Sequence, residues 1–402
     1  MRLAIGLEAR FLQSSDGGVW TESNVDYAFW RRYLDVFDRV TIVARARTVD
    51  DVPAGGKPVL GDDVTFCAVP WYVGPRQYLA NARSVRRTIS EAIAPTDAVI
   101  VRLPGQVGTV VVSTLRHADP RRPYGVEVVG DPAEVFARGA VHHPLRPLFH
   151  RWFPHQLRSQ VLHATAAAYV NEATLPVRYP ARSGSFTTHY SSIDLDAPAF
   201  AALPRSMDRP PSAIACVMVG SLEQMYKAPD VVLDAVAACR RSGQEISLAI
   251  IGDGKHRAGL EHRARSLGIG HAVTFLGQLP AGDAVRDRLD RADLFILPSR
   301  TEGLPRAMIE AMARGLPCIG STVGGIPELL PPEDIVPPGD AGALAAKIRE
   351  VSGDPARMTR MSARNLDRAK DYRSDLLRER RIAFYRAVRD RTDTWLGAGG
   401  RP

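Results

Sequence analysis

DLFILPSRTEGLPRAMIEAMARGLPCIGST, residues 293–322, decides the fold. The apolar run 293–299 has the length of a buried strand, and RTEGL reads as a loop. Pro305 suits the first position of a helix, where no N–H is needed and φ is already helical. AMIEAMA continues that helix, and 317–322 returns as a second strand. A strand, a helix and a further apolar strand form the crossover unit of a parallel sheet.

The pattern extends in both directions. Upstream, strands are predicted at 214–222, 246–254 and 273–279, each followed by a helical stretch. An earlier series falls at 2–9, 40–45, 64–70, 98–104, 124–129 and 167–173. Between the two series lies IDLDAPAFAALPRSMDRPPS, polar and proline-rich with no clear period, which reads as a linker. The expected fold class is α/β, with two doubly wound domains at 1–194 and 195–370. Residues 371–402 form a charged C-terminal helix expected to pack back toward the first domain.

Composition narrows the class. The 402 residues are 45% hydrophobic and 24% charged, enough apolar content for two cores. Cys67, Cys216, Cys239 and Cys318 are scattered without C-x-x-C spacing, which argues against a disulfide framework or zinc ribbon. The opening apolar run is too short for a signal peptide, and no run approaches the ~20 residues that span a bilayer, so a cytoplasmic location is expected. A net charge of +8 suits an anionic partner; with no nucleic-acid-binding motif, a nucleotide or a lipid surface is favoured over nucleic acid.

Open parallel sheets bind ligands beyond the carboxyl ends of their strands. In the opening segment this places Glu302, Gly303, Leu304 and Pro305 in a loop at a helix start, where free amides and the helix dipole favour phosphate. Glu310 lies about a turn and a half inside that helix, on the face that carries Arg306. Glu302, Glu310 and the following GGIPEL resemble the nucleotide-sugar segment of family 4 glycosyltransferases, enzymes of the GT-B fold with two facing Rossmann-like domains. The resemblance implies that Glu302 meets the donor sugar, that Glu310 accepts the ribose hydroxyls, and that the intervening amides approach phosphate.

Further donor residues follow from the same resemblance. Lys227, in VGSLEQMYKAPD, matches the lysine that holds the pyrophosphate, but Ser221 stands where an arginine is usual. Arg300 and Arg306 are the candidates to replace that cation. Gly252 and Asp253 of IGDG, and Gly277 of VTFLGQLP, fall where the family borders the nucleotide. In the N-terminal half, Gly17 and Gly18 occupy the position of a glycine-rich phosphate loop, though the pair also reads as a plain turn. Asp131 stands in VEVVGDP where many relatives carry a histidine near the reacting carbon, and reads equally as a helix cap.

Residues 138–160 mix four arginines and four histidines with Leu, Phe and Trp. They suit either an anionic membrane surface, where lipid-linked acceptors are found, or a basic rim whose aromatics pack inward. The implied activity is metal-independent, retaining transfer of a hexose from a nucleotide-diphosphate sugar to a hydroxyl acceptor: a polysaccharide, glycolipid or natural-product precursor. No cofactor beyond the donor and no metal site is expected. A nucleotide-sugar epimerase or hydrolase on the same fold, and a non-catalytic nucleotide-binding module, remain open at this point.

Overall fold

The computed structural model describes residues 1–52, 55–136, 145–209 and 211–400. Residues 138–144 of the basic segment lie outside the described residues. The N-terminal sheet contains β1 (Arg2–Ser14), β2 (Val19–Thr21), β3 (Arg39–Val49), β4 (Lys57–Pro58), β5 (Val64–Val69), β6 (Ala98–Leu103), β7 (Gly125–Val128), β8 (Ala166–Tyr169) and β9 (Phe186–His189). Its parallel strands run β5-β3-β1-β6-β7-β8-β9, and β2 and β4 form a small antiparallel extension beside the far end of β1. The second sheet is β10 (Ile214–Val219), β11 (Ile246–Ile251), β12 (Val273–Gly277), β13 (Leu294–Leu297), β14 (Cys318–Ser321) and β15 (Ile335–Val336). All its pairs are parallel, in the order β12-β11-β10-β13-β14-β15.

Both orders reverse direction once, between β1 and β6 and between β10 and β13. At such a switch point neighbouring loops diverge and leave a crevice. Central strands are covered on both faces and carry no alternation: every residue of β13 and β14 is buried. The helix Arg306–Ala313 turns Met308, Ile309 and Met312 into the core.

β1 runs five residues beyond the predicted end at residue 9. After a register shift between Gly6 and Arg10, its second half pairs with Arg45–Val49 of β3. Four strands escape the sequence reading: β2, β4 and β15 are only two or three residues long, too short to show a period, and FTTH of β9 is polar.

After β9 the chain crosses to the second domain, and the helix Ser374–Gly397 returns to the first. Phe384, Tyr385 and Val388 are buried there. Tyr385 packs on Tyr33 with ring centroids 4.6 Å apart, and Arg378 pairs with Asp35 at 3.0 Å. Among the described residues, no helix is long and apolar enough to cross a membrane.

Because Phe384 is fully buried, Phe384→Ala is expected to destabilise the N-terminal domain by about 3–5 kcal/mol. Urea unfolding with a probe in that domain checks this; a loss below ~1 kcal/mol would mean that the helix is only loosely attached.

Candidate active site

The site forms at the switch point of the second sheet. Beyond β10 the chain makes a tight turn, Met225–Lys227, and enters the helix Pro229–Arg241 through Ala228, whose φ of 55° is unusual for a residue with a side chain. That turn aims Lys227 at the loop after β13. Its Nζ lies 2.5 Å from Glu302 Oε2, with the two side chains only 13% and 10% exposed. Ser299 also donates to Glu302 Oε2, at 3.1 Å.

Two glycines allow the surrounding loops to close. Gly252 has φ of 139°, and a Cβ there would fall 2.0 Å from the Gly220 carbonyl oxygen. Gly324 has φ of 53°, and a Cβ would fall 1.8 Å from the Glu302 carbonyl oxygen. The strand-end loops are thus layered backbone on backbone. Gly277 closes onto Gly252, whose amide donates to its carbonyl at 2.8 Å. Asp253 is held by the Gly254 amide at 2.8 Å and by Arg257 at 2.9 Å.

Pro305 is the N-cap of the helix Arg306–Ala313 and not its first residue, a difference of one position. Glu310 is half-buried, and burial pushes its carboxyl above the usual range, against the pull of Arg306 and Arg286. Of the two candidate replacement cations, Arg300 is committed elsewhere: it grips Asp230 at 2.9 and 2.7 Å and donates to the Met225 carbonyl. It therefore braces the turn that carries Lys227. Arg306 is exposed and borders the interdomain cavity together with Glu302, Gly303 and Leu304. Ser221 turns its hydroxyl to the Glu223 amide, 3.2 Å away.

In the N-terminal domain two expectations change. Gly17 and Gly18 form the β1–β2 hairpin turn, with the Ser14 amide donating to the Gly18 carbonyl at 2.9 Å. They do not line the cavity. The switch-point end of β1 instead presents Glu8, which accepts from the Val107 amide at 2.9 Å and pairs with Arg45. Asp131 is buried and fully used: it pairs with Arg178, accepts from the Tyr179 hydroxyl at 2.5 Å and caps Ala133 N at 2.8 Å. That leaves it a positioning residue and removes the support for a catalytic role. In the basic segment, Phe149 and Phe153 pack on Phe136 at 5.5 and 5.2 Å, whereas Leu148 and Trp152 face outward.

Two acids that the motifs did not single out join the domains. Glu134 reaches across to the Gly324 amide at 3.0 Å and the Glu302 amide at 3.4 Å. Burial pushes its carboxyl up, while those amides and the Thr301 hydroxyl pull it down. Glu328, in GGIPEL, reaches the other way and accepts from the Glu172 and Thr174 amides, both at 2.8 Å. No sequence period marks Glu134. Glu127, in contrast, stands out as the one acid in the apolar run VEVV, and it is buried with Tyr33, Tyr190 and Arg102 around it.

Two facing parallel α/β domains, with an acid–lysine pair and a helix start at the cleft, correspond to the GT-B fold. Residues 203–368 match the family model for glycosyl transferases group 1. Protein CapJ of Staphylococcus aureus is 25% identical over 80% of this chain and 79% of its own. The amylovoran biosynthesis glycosyltransferase AmsK of Erwinia amylovora is 38% identical over 29% of this chain and 32% of that protein. Sucrose-phosphate synthase from Thermosynechococcus elongatus superposes with a TM-score of 0.65 at 16% identity, over 96% of this chain and 99% of that one, a likeness of fold.

The upward displacement of the Glu310 carboxyl has a stability consequence. A raised folded-state value favours the folded protein below the ordinary carboxylate range, and that contribution is lost as pH rises through the raised value. Glu310→Gln is therefore expected to raise the unfolding temperature at neutral pH and to leave it unchanged in acid, as thermal melts across that range would show. An equal shift at both ends would contradict the burial effect.

Proposed function

We propose that the protein is a retaining glycosyltransferase that moves a hexose from a nucleotide-diphosphate sugar to a hydroxyl acceptor, without a cofactor or a divalent ion. The observation that carries this reading is the Lys227–Glu302 pair at the switch point, with Glu310 eight residues on along the same loop and helix. Glu302 would accept from a sugar hydroxyl and Glu310 from the ribose. Lys227 and the amides at the start of the helix Arg306–Ala313 would stabilise charge on the departing phosphate, with Arg306 as the second cation in place of the arginine that Ser221 replaces.

Asp131 is committed to Arg178 and Tyr179, which favours a same-face displacement over one with a protein base. The acceptor oxygen bonds to the anomeric carbon, the anomeric carbon–phosphate oxygen bond breaks, and the acceptor proton passes to the departing phosphate. A polysaccharide, glycolipid or natural-product precursor fits the acceptor role; AmsK, named for amylovoran biosynthesis, leans toward the first. Donor consumption without an acceptor would point instead to the epimerase or hydrolase reading, and nucleotide binding without any turnover to an idle binding module. A thermal-stabilisation screen of nucleotide sugars identifies the donor, since a ligand at 100 times its dissociation constant adds about 2.7 kcal/mol.

Glu310→Ala is expected to weaken nucleoside diphosphate binding by about ten- to a hundredfold, corresponding to ~1.5–3 kcal/mol. Lys227→Ala should lower turnover more than affinity, because its charge acts most on the leaving group. Calorimetry and steady-state rates, run with and without EDTA, check both; wild-type affinity in Glu310→Ala removes the ribose assignment, and a strict metal requirement removes the metal-free mechanism.

A peripheral contact with an anionic membrane is part of the proposal, placing the protein at the inner face of the membrane with a lipid-linked acceptor among the substrates. Leu148, Arg151 and Trp152 are exposed on the helix Arg146–Leu162, with Trp152 62% exposed. Replacing Arg151 and Trp152 by alanine together is expected to abolish co-sedimentation with phosphatidylglycerol vesicles and spare nucleotide binding. Unchanged sedimentation would return the segment to a packed rim.

A further inference from the structure

The interdomain cavity, about 190 Å³, is walled on the N-terminal side by Arg32, Tyr33, Arg102, Glu127, Tyr190 and Arg381, and on the other by the loop of Glu302 and by Arg306. Its two acids are already neutralised. Glu127 pairs with Arg102 and accepts from Tyr33 at 3.0 Å and Tyr190 at 2.7 Å. Glu302 is held by Lys227.

Three arginines remain. Arg32 lies over the Phe29 ring at 5.2 Å, and its anionic and carbonyl partners are weak: the exposed Asp194, 3.9 Å away, and the Ser192 carbonyl at 3.5 Å. The Arg306 guanidinium makes no ion pair or hydrogen bond with any described residue. Arg381, on the returning C-terminal helix, is 7% exposed, and its Nη1 has no hydrogen-bond partner. Burial and the neighbouring Arg32 both weigh against its charge, with Tyr385, Tyr190 and Asp194 on the favourable side. A buried guanidinium nitrogen left unpaired is costly, and an anion is the partner that satisfies it best.

We propose that this wall is an anion subsite for the acceptor, in which Arg381 and Arg32 bind a carboxylate or phosphate on the acceptor sugar and so place its hydroxyl at the donor loop. This rests on the transferase reading above and adds the acceptor's chemical class. The cavity is smaller than the ~300–1,000 Å³ of pockets that enclose drug-sized ligands, which limits it to about one ring. The aromatic walls, Tyr33, Tyr190 and Tyr385, suit the apolar face of such a ring.

The test is calorimetry on the full chain saturated with the nucleoside diphosphate chosen by the donor screen, so that the donor phosphate site is filled. The probes are glucose 6-phosphate, glucuronate and glucose. At least one anionic sugar is expected to bind about tenfold or more tighter than glucose, and Arg381→Gln and Arg32→Gln should each remove most of that preference, with Arg381→Lys keeping part of it. Arg32 lies in the short turn Arg31–Asp35 and is less buried, which provides a second variant if Arg381→Gln fails to fold. Equal binding of glucose and both anions, or a preference that survives both glutamine variants, overturns the subsite. If the wild type binds no nucleotide, the transferase reading falls separately, and titration of the nucleotide-free protein still decides the anion site.

Discussion

The ion pair between Lys227 and Glu302 is the constraint on which the site depends. These residues are 75 positions apart and meet because β10 and β13 are neighbours at the place where strand order reverses. Both side chains are largely withdrawn from water, so loss of either would leave a poorly solvated charge behind. A parallel brace, Arg300 to Asp230, fixes the turn from beneath. Between them they set where the turn of Lys227, the loop of Glu302 and the helix bearing Glu310 stand relative to one another.

Closure of the cleft uses the same physics in a different form. Each domain sends one glutamate to accept backbone amides of the other: Glu134 at Glu302 and Gly324, and Glu328 at Glu172 and Thr174. Amides at turns and helix starts are strong, directional donors, and a carboxylate satisfies two of them at once. The amides beside Glu134 belong to the loop that carries Glu302, so the state of the cleft and the state of the site are mechanically one.

The N-terminal wall of the cleft is a composite. Its buried acid, Glu127, belongs to the sheet, but Arg381 and Tyr385 come from a helix that follows the second domain in sequence. That wall is therefore complete only when the chain has returned, which couples the C-terminal helix to the shape of the cleft as well as to stability.

The domain pattern and the local relation of Glu302 to Glu310 were legible in the sequence. Continuous apolar runs of strand length, alternating with helical periods, define parallel sheets wherever they occur, and Glu302 and Glu310 are separated by one loop and one helix start, so local geometry alone relates them. Gly17–Gly18 and Asp131 each leave two readings open in the sequence because their roles depend on what lies beside them: β1 continues past its predicted end since β3 and β2 offer it partners, and Asp131 is occupied by Arg178 and Tyr179, nearly 50 residues downstream. Glu134, Arg32 and Arg381 carry no periodic or motif signal at all. The sequence by itself determined the two-domain architecture and the residues whose neighbours are local; only the tertiary structure decided which distant charges share the cleft, because burial and ion pairing are set by through-space contacts that no spacing along the chain encodes.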